Sequence, residues 1–169
     1  TKLSLEYLSF KEWHPSFCKM LGGLKNLEHF TLKHVNHPDL EAVFGSIKNN
    51  MQNLTHLTLV GVAFRSTEEY NLFCDILSSQ TKLTYLVIRK VWGSSYTNVE
   101  KFAESLKKCK NLTHFSIDDH FDFAHPNDSK AFLKGLVWLT SLKHCSLNCP
   151  SLMRHLSCVD DTLMTYIRH

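Results

Sequence analysis

The amino-acid sequence predicts an α/β fold, a right-handed solenoid with a parallel sheet on its concave side and helices on its convex side. Two observations support this prediction. A short apolar motif, L-x-x-[L/F]-x-[L/I], recurs along the chain, and the segments between its copies have helical periodicity. Strands that alternate with helices at a nearly constant period stack side by side, and parallel crossovers are almost always right-handed.

The apolar motif marks the predicted strands. Its five complete copies are Leu27-Phe30-Leu32, Leu54-Leu57-Leu59, Leu83-Leu86-Ile88, Leu112-Phe115-Ile117 and Leu142-Cys145-Leu147. The first leucines of successive copies are 27, 29, 29 and 30 residues apart, and Leu3 with Leu5 belongs to an earlier copy. Because side chains alternate along a strand, the motif residues face the core and the residues between them face outward.

Five intervening segments are predicted to be helices, because their apolar residues recur every three or four positions. The apolar sets are Phe17, Met20 and Leu21; Leu40, Val43, Phe44 and Ile47; Leu72, Phe73, Ile76 and Leu77; Val99, Phe102, Ala103, Leu106 and Cys109; and Phe132, Leu133, Leu136 and Leu139. Ser66 to Glu69 is a predicted capping box, and Asn127-Asp128 is predicted to cap the fifth helix.

The repeat divides the chain into two parts. Residues 1–150 are predicted to form a solenoid of about six repeats. Residues 151–169 depart from the motif and are interpreted as an atypical C-terminal repeat or cap, within a longer protein. Leu152, Leu156 and Val159 could line a helix there, whereas residues 163–167 fit either a degraded strand or a second helix. Since a solenoid needs capped ends, we expect both ends to continue into, or stack on, further repeats.

Composition excludes several classes of function. The chain has 169 residues, 43% hydrophobic, and a net charge of +3, which is ordinary for a globular protein and too mild to indicate nucleic acid as the partner. No apolar run could span a bilayer. The six cysteines lack metal-type C-x-x-C spacing and are interpreted as reduced, mostly buried thiols, which favours a cytoplasmic location. We also expect Trp138 to lie in the core.

Reading the repeats in register produces outward-facing columns of side chains. The first column is Lys2, His29, His56, Tyr85, His114 and His144, and the second is Ser4, Thr31, Thr58, Val87, Ser116 and Ser146. Adjacent histidines could share a metal ion, respond to pH or form a plain contact surface. Hydroxyls beside histidines could resemble a hydrolytic site, but a triad also needs an orienting acid and an oxyanion hole.

Charges and aromatic residues complete the candidate binding surface. Lys33, Arg89 and Lys90 make the middle of the face basic, whereas Asp118 and Asp119 make its C-terminal part acidic. Such a graded surface would steer a protein partner of complementary charge. The predicted partner-binding residues are His29, Lys33, His56, Tyr85, Arg89, Lys90, Trp92, His114, Asp118 and His144.

The motif and its period resemble the leucine-rich repeat family, in particular its ribonuclease-inhibitor-like subtype of 27–30-residue repeats. The resemblance implies a non-catalytic protein–protein recognition module of a larger intracellular protein, without cofactor, metal or membrane contact. Similar repeats form the ligand-sensing or autoinhibitory regions of NOD-like innate immune receptors. Two alternatives are the substrate-recognition repeats of an F-box ubiquitin ligase, which the Cys109-Lys110-Asn111-Leu112 junction resembles, and a GTPase-activating solenoid that supplies Arg89.

Overall fold

Strands and helices alternate strictly in the computed structural model, which describes residues 1–7, 15–35, 40–91, 98–118, 123 and 125–155. The strands are β1 (Lys2–Glu6), β2 (His29–Lys33), β3 (His56–Val60), β4 (Tyr85–Arg89), β5 (His114–Asp118) and β6 (His144–Asn148). The helices are α1 (Pro15–Gly22), α2 (Leu40–Asn50), α3 (Thr67–Ser79), α4 (Val99–Leu106), α5 (Pro126–Leu136) and α6 (Pro150–His155).

The six strands form one parallel sheet in chain order, β1 to β6. The pairing joins equivalent positions of successive motifs: Phe30 pairs with Leu57, Leu57 with Leu86, and Leu86 with Phe115. The register therefore matches the alignment of the motifs, and the α/β fold with a parallel sheet is confirmed. Strands paired in this order and alternating with helices fit a repeat solenoid.

The core lies between the sheet and the helices and is built from columns of equivalent residues. In the middle of the sheet, Leu57, Leu86 and Phe115 are at most 2% exposed. On the helices, the rings of Phe44, Phe73, Phe102 and Phe132 follow one another at centroid distances of 6.1 Å. Each repeat thus buries its apolar side chains against its neighbours.

The predicted start of α3 is confirmed, whereas that of α5 is wrong. The Ser66 hydroxyl accepts the N–H of Glu69 at 3.1 Å, as an N-cap should. In α5 the N-cap is His125, and Asp128 accepts the N–H of His125 at 3.1 Å. Pro126 explains the earlier start, because its fixed φ angle suits the first helical position.

Two apolar side chains singled out in the sequence are exposed. Met20 is 49% exposed, because its neighbour Leu21 occupies the inward position and consecutive helix residues point about 100° apart. Trp138 is 58% exposed, which contradicts its predicted core position. It occupies the repeat position of Lys108, which is also exposed, just as the buried Leu139 corresponds to the buried Cys109.

Three of the five cysteines within the described residues are buried, and the sixth, Cys158, lies outside them. Burial raises the pKa of both Cys74 and Cys109 to about 12, so these thiols stay protonated and act as small apolar groups. Cys149 is buried as well, whereas Cys145 on β6 is exposed. Among the described residues, no helix combines the length and the apolar character needed to cross a membrane.

Candidate partner-binding face

The side of the sheet that faces away from the helices, here called the sheet face, carries a ladder of five rings. The ring centroids of His29 and His56 lie 3.8 Å apart with planes at 9°. The next centroid distances are 5.2 Å to Tyr85 and 5.7 Å to His114, and His144 follows at 4.4 Å. The register of the parallel strands brings these rings together, because equivalent outward positions lie side by side. We call these five residues the ring ladder.

Threonine hydroxyls anchor the ladder to the backbone. Thr55 and Thr113 immediately precede β3 and β5, and each Oγ1 lies 2.9 Å from Nδ1 of the following histidine, His56 or His114. Each hydroxyl is also a donor to a backbone carbonyl of the preceding repeat, 3.1 Å from Glu28 for Thr55 and 3.0 Å from Thr84 for Thr113.

These contacts favour the tautomer of His56 and His114 that carries its proton on Nδ1. A hydroxyl has one hydrogen, so Thr55 and Thr113 can donate to the carbonyl only if they accept from Nδ1–H of the histidine. Only this tautomer turns both contacts of each hydroxyl into hydrogen bonds. Nε2 of His56 and His114 is then an acceptor, and within the described residues it has no protein partner and is not buried.

Partial burial lowers the pKa of His29 and His56 from its ordinary value. Neighbouring positive groups add to this, namely Lys2 for His29, and both His29 and Lys2 for His56. The two most closely stacked rings are therefore neutral at pH 7.

Neither a metal site nor a hydrolytic site is supported by this geometry. The rings of His29 and His56 are nearly parallel, so their lone pairs point side by side instead of converging on one ion. Within the described residues, no group of three or more His, Cys, Asp or Glu side chains could hold a metal ion. The Ser116 hydroxyl lies 3.5 Å from the Arg89 guanidinium, which is not a base that could activate it.

The predicted charges lie where expected but are partly neutralised. Lys33 forms an ion pair with Glu6 at 2.9 Å, and this hydrogen bond lowers the pKa of the Glu6 carboxyl. Asp118 accepts a hydrogen bond from the Asn148 amide at 2.6 Å. Arg89 and Lys90 are exposed and form no ion pair within the described residues. The positive charge of the sheet face is therefore concentrated at the end of β4.

A column of left-handed residues forms the rim of the face. Tyr7, His34, Gly61 and Lys90 follow four successive strands and have φ angles of 54°, 47°, 63° and 50°. Their N–H groups donate to the last strand residue of the next repeat, with distances of 2.7–3.2 Å. This conformation is costly for residues other than glycine, so the inter-repeat hydrogen bond helps to maintain it.

Aromatic contacts continue along this rim. The rings of Tyr7 and His34 are stacked at 5.1 Å, and a Cβ atom placed on Gly61 would overlap the His34 ring. Tyr7 is 74% exposed, so this stack presents an accessible aromatic surface beside Lys33. Sequence reasoning aligned these residues in one column but did not detect the left-handed turn.

A depression of about 870 Å³ lies at the C-terminal end of the sheet face. Arg89, Ser116 and His144 border it, and it continues past the exposed edge of β6 to Leu136 and Leu142. The face is therefore not flat, and this depression adjoins the ring ladder and Arg89.

Nine of the ten predicted partner-binding residues lie on or beside the sheet face: the five rings, Lys33, Arg89, Lys90 and Asp118. The tenth, Trp92, lies outside the described residues, as does Asp119. Sequence reasoning missed Thr55 and Thr113. Their signal was available, because threonine recurs immediately before three successive strands, at positions 55, 84 and 113.

No protein-family model matches the chain, and no curated protein is significantly similar to it. The comparisons therefore show no family for the chain; the structure shows a parallel sheet of six strands that alternate with helices.

Proposed function

We propose that the chain is a non-catalytic recognition module of the leucine-rich repeat type, part of a larger intracellular protein, and that its concave sheet face binds a protein partner. The observation that carries the proposal is the ring ladder: five strands present aligned, accessible rings next to Arg89 and Lys90. The few residues that contribute most of the binding energy in protein interfaces are enriched in Trp, Tyr and Arg, and Tyr85 and Arg89 belong to these types.

The repeat supports the family assignment. Its period of 27–30 residues is typical of the ribonuclease-inhibitor-like subtype, and the inferred strand–helix unit agrees with it. The side-chain amides of Asn53 and Asn111, directly before two of the motifs, donate to carbonyls of the preceding repeat at 3.1 and 2.8 Å and so link successive repeats. Solenoids of this kind hold partners on a large rigid surface, as the ligand-sensing regions of NOD-like receptors do.

A charge-reversal experiment tests the binding face. The wild-type chain and a Lys33→Glu, Arg89→Glu, Lys90→Glu variant are used to capture proteins for mass spectrometry. A Lys108→Glu, Lys130→Glu, Lys134→Glu variant is the matched control, because it changes the net charge equally at exposed lysines on the helical side. We expect one partner to be retained by the wild type and by the control and lost by the sheet-face variant. Equal capture by all three proteins would reject the sheet face as the site.

Arg89 distinguishes the GTPase-activating alternative from simple recognition. An inserted guanidinium stabilises the charge that develops during phosphoryl transfer. An Arg89→Ala variant that still binds a GTPase but no longer stimulates it would support this alternative, whereas loss of binding alone would support recognition. The F-box alternative predicts instead that the captured proteins include ubiquitin-ligase subunits.

A further inference from the structure

We propose that the sheet face binds an acidic α-helix of the partner, laid across the strands along the ring ladder, and holds it more tightly at pH 5.5 than at pH 7.5. The inference rests on the proposed function, since it names the chemistry of the partner that the sheet face takes. Three features of the face lead to it: the spacing of the rings, the surrounding charge and the position of the free imidazole nitrogens.

The spacing of the ladder matches the pitch of a helix. The four steps between successive ring centroids together amount to about 19 Å along the ladder. A helix rises about 5.4 Å per turn, so each turn can place one side chain opposite one ring. After four turns, the helix side chain would lie only about 3 Å beyond the last ring. An extended strand laid in the same direction has side chains on one face about every 6.8 Å. After four steps, its side chain would lie about 8 Å beyond the last ring.

The charge of the face favours an acidic partner. Lys33 is neutralised by Glu6, but Lys2, Arg89 and Lys90 form no ion pair within the described residues. Lys2 continues the ladder at its β1 end, and Arg89 and Lys90 lie at the end of the central strand β4. Among the described residues of this face, Asp118 is the acidic side chain without a cationic partner, and it already accepts a hydrogen bond from Asn148. A row of carboxylates along the ladder would therefore meet positive charge at its end and along its side.

Proton uptake strengthens the same contact. Because Nδ1–H of His56 and His114 is held by threonine, an added proton goes to Nε2, the nitrogen without a protein partner. Protonation converts Nε2 from an acceptor, which repels a carboxylate, into a charged donor, which binds it. A carboxylate opposite the ring favours the charged form, so binding takes up protons and the affinity rises as the pH falls.

The groups that face the ladder oppose or support this protonation. Three charged groups lie near His29: Lys2, Glu28 and the N-terminal ammonium. Four more lie at the ends of the strands: Glu6, Lys33, Arg89 and Asp118. His56 lies between His29 and Tyr85, and His29, Lys2 and His114 all disfavour its charged form. Burial and the neighbouring positive groups lower the pKa of His29 and His56 in the free protein, and an acidic partner supplies negative charge that favours their protonated form.

The experiment uses three alanine-based helical peptides of about 18 residues, each with one polar side chain per turn on a single face. That side chain is Glu in the first, Gln in the second and Lys in the third. Binding to the chain is measured by fluorescence anisotropy at pH 7.5 and at pH 5.5. We expect the Glu peptide to bind best at both values and to gain roughly tenfold in affinity for each histidine whose pKa it raises by about one unit.

Two variants and one control locate the effect. His56→Gln with His114→Gln should remove most of the pH-dependent gain, because glutamine does not titrate. Arg89→Gln with Lys90→Gln should weaken binding at both pH values. His155→Gln on α6 is the control and should behave as the wild type. Equal binding of the Glu and Lys peptides, or a pH-dependent gain that survives in the double histidine variant, would overturn the inference.

The outcome is separable from that of the proposed function. If the charge reversals abolish capture of a natural partner but no acidic peptide binds, the sheet face is the site and only the acidic-helix inference fails. If the acidic peptide binds and the reversals leave the natural partner unaffected, the inference fails too, because the peptide site is then not the partner site.

Discussion

The central strands and the last strand carry the same apolar motif but bury it to different degrees. Leu57 on β3 and Leu86 on β4 are 2% and 0% exposed. At the equivalent position on β6, Cys145 is exposed, and Leu147 is only half-buried. β3 and β4 have a strand on each side, whereas β6 pairs with β5 alone. The comparison teaches that strands with a repeat on each side bury their motif residues more completely than β6, which has a paired strand on one side.

Truncation of a motif leucine tests this difference most strongly. Leu57→Ala should lower the free energy of unfolding by about 2–5 kcal/mol, because it leaves a cavity among fully buried side chains. Leu147→Ala removes the same atoms from a half-buried site and should cost about 1 kcal/mol. Urea unfolding followed by circular dichroism measures both. Equal losses would mean that β6 is as well covered as β3.

Glycine replacements give the next largest effect. Gly61→Ala should destabilise the chain by about 1–3 kcal/mol, because Gly61 has a φ of 63° and a Cβ atom would overlap the His34 ring. Gly45 in α2 has nothing within 4 Å of its Cβ position, so Gly45→Ala is the control and should stabilise by about 0.5–1 kcal/mol. Thermal unfolding of the two variants should shift in opposite directions, and a stable Gly61→Ala protein would contradict the left-handed turn.

An ion-pair ladder on the helices should contribute less. Asp75 on α3 lies 2.9 Å from Lys48 of α2 and 3.2 Å from Lys101 of α4, so it joins three repeats. Because these side chains are 34–39% exposed, Asp75→Asn should cost only about 0.5–1 kcal/mol, and less in high salt. Glu104→Gln, which affects a pair with nearby Lys107, is the control and should have a smaller effect.

The pH dependence of that ladder follows from its charges. Partial burial raises the pKa of Asp75, but the hydrogen bonds from Lys48 and Lys101 outweigh it, so the pKa lies below its ordinary value. A lowered carboxyl pKa stabilises the folded state above the unfolded value, about 3.9, and this contribution is lost as pH falls through the folded value. The difference in stability between wild type and Asp75→Asn should therefore shrink between about pH 5 and pH 3.

The smallest expected effect is the pH response of the ring ladder in the free protein. Since His29 and His56 have lowered pKa values when folded, the unfolded chain binds more protons just below pH 6.5. Stability should therefore decline as pH falls from 6.5 through the folded values, by less than about 1 kcal/mol per histidine. His56→Gln should reduce this decline in urea unfolding, whereas Tyr85→Phe, which keeps a ring in the ladder, should not.

Much of the fold could be predicted because the repeat is periodic. A residue such as Leu86 is recognisable from its spacing to Leu57 and Phe115, and the same spacing predicts which strands pair and in which register. The prediction failed for two features that the spacing of the apolar residues does not determine: the exposure of one side chain and the first residue of one helix. Trp138 is apolar but occupies a repeat position that faces solvent, and the start of α5 was set by a single residue, Pro126.

The candidate site could be predicted as a set of columns but not as a chemical surface. The sequence by itself determined the alternation of strands and helices, the register and the histidine-rich column, because these depend on local periodicity. Only the tertiary structure decided that the rings stack, that Thr55 and Thr113 orient His56 and His114, and that Glu6 neutralises Lys33. These features depend on side-chain distances between repeats about 27–30 residues apart, which no local pattern specifies.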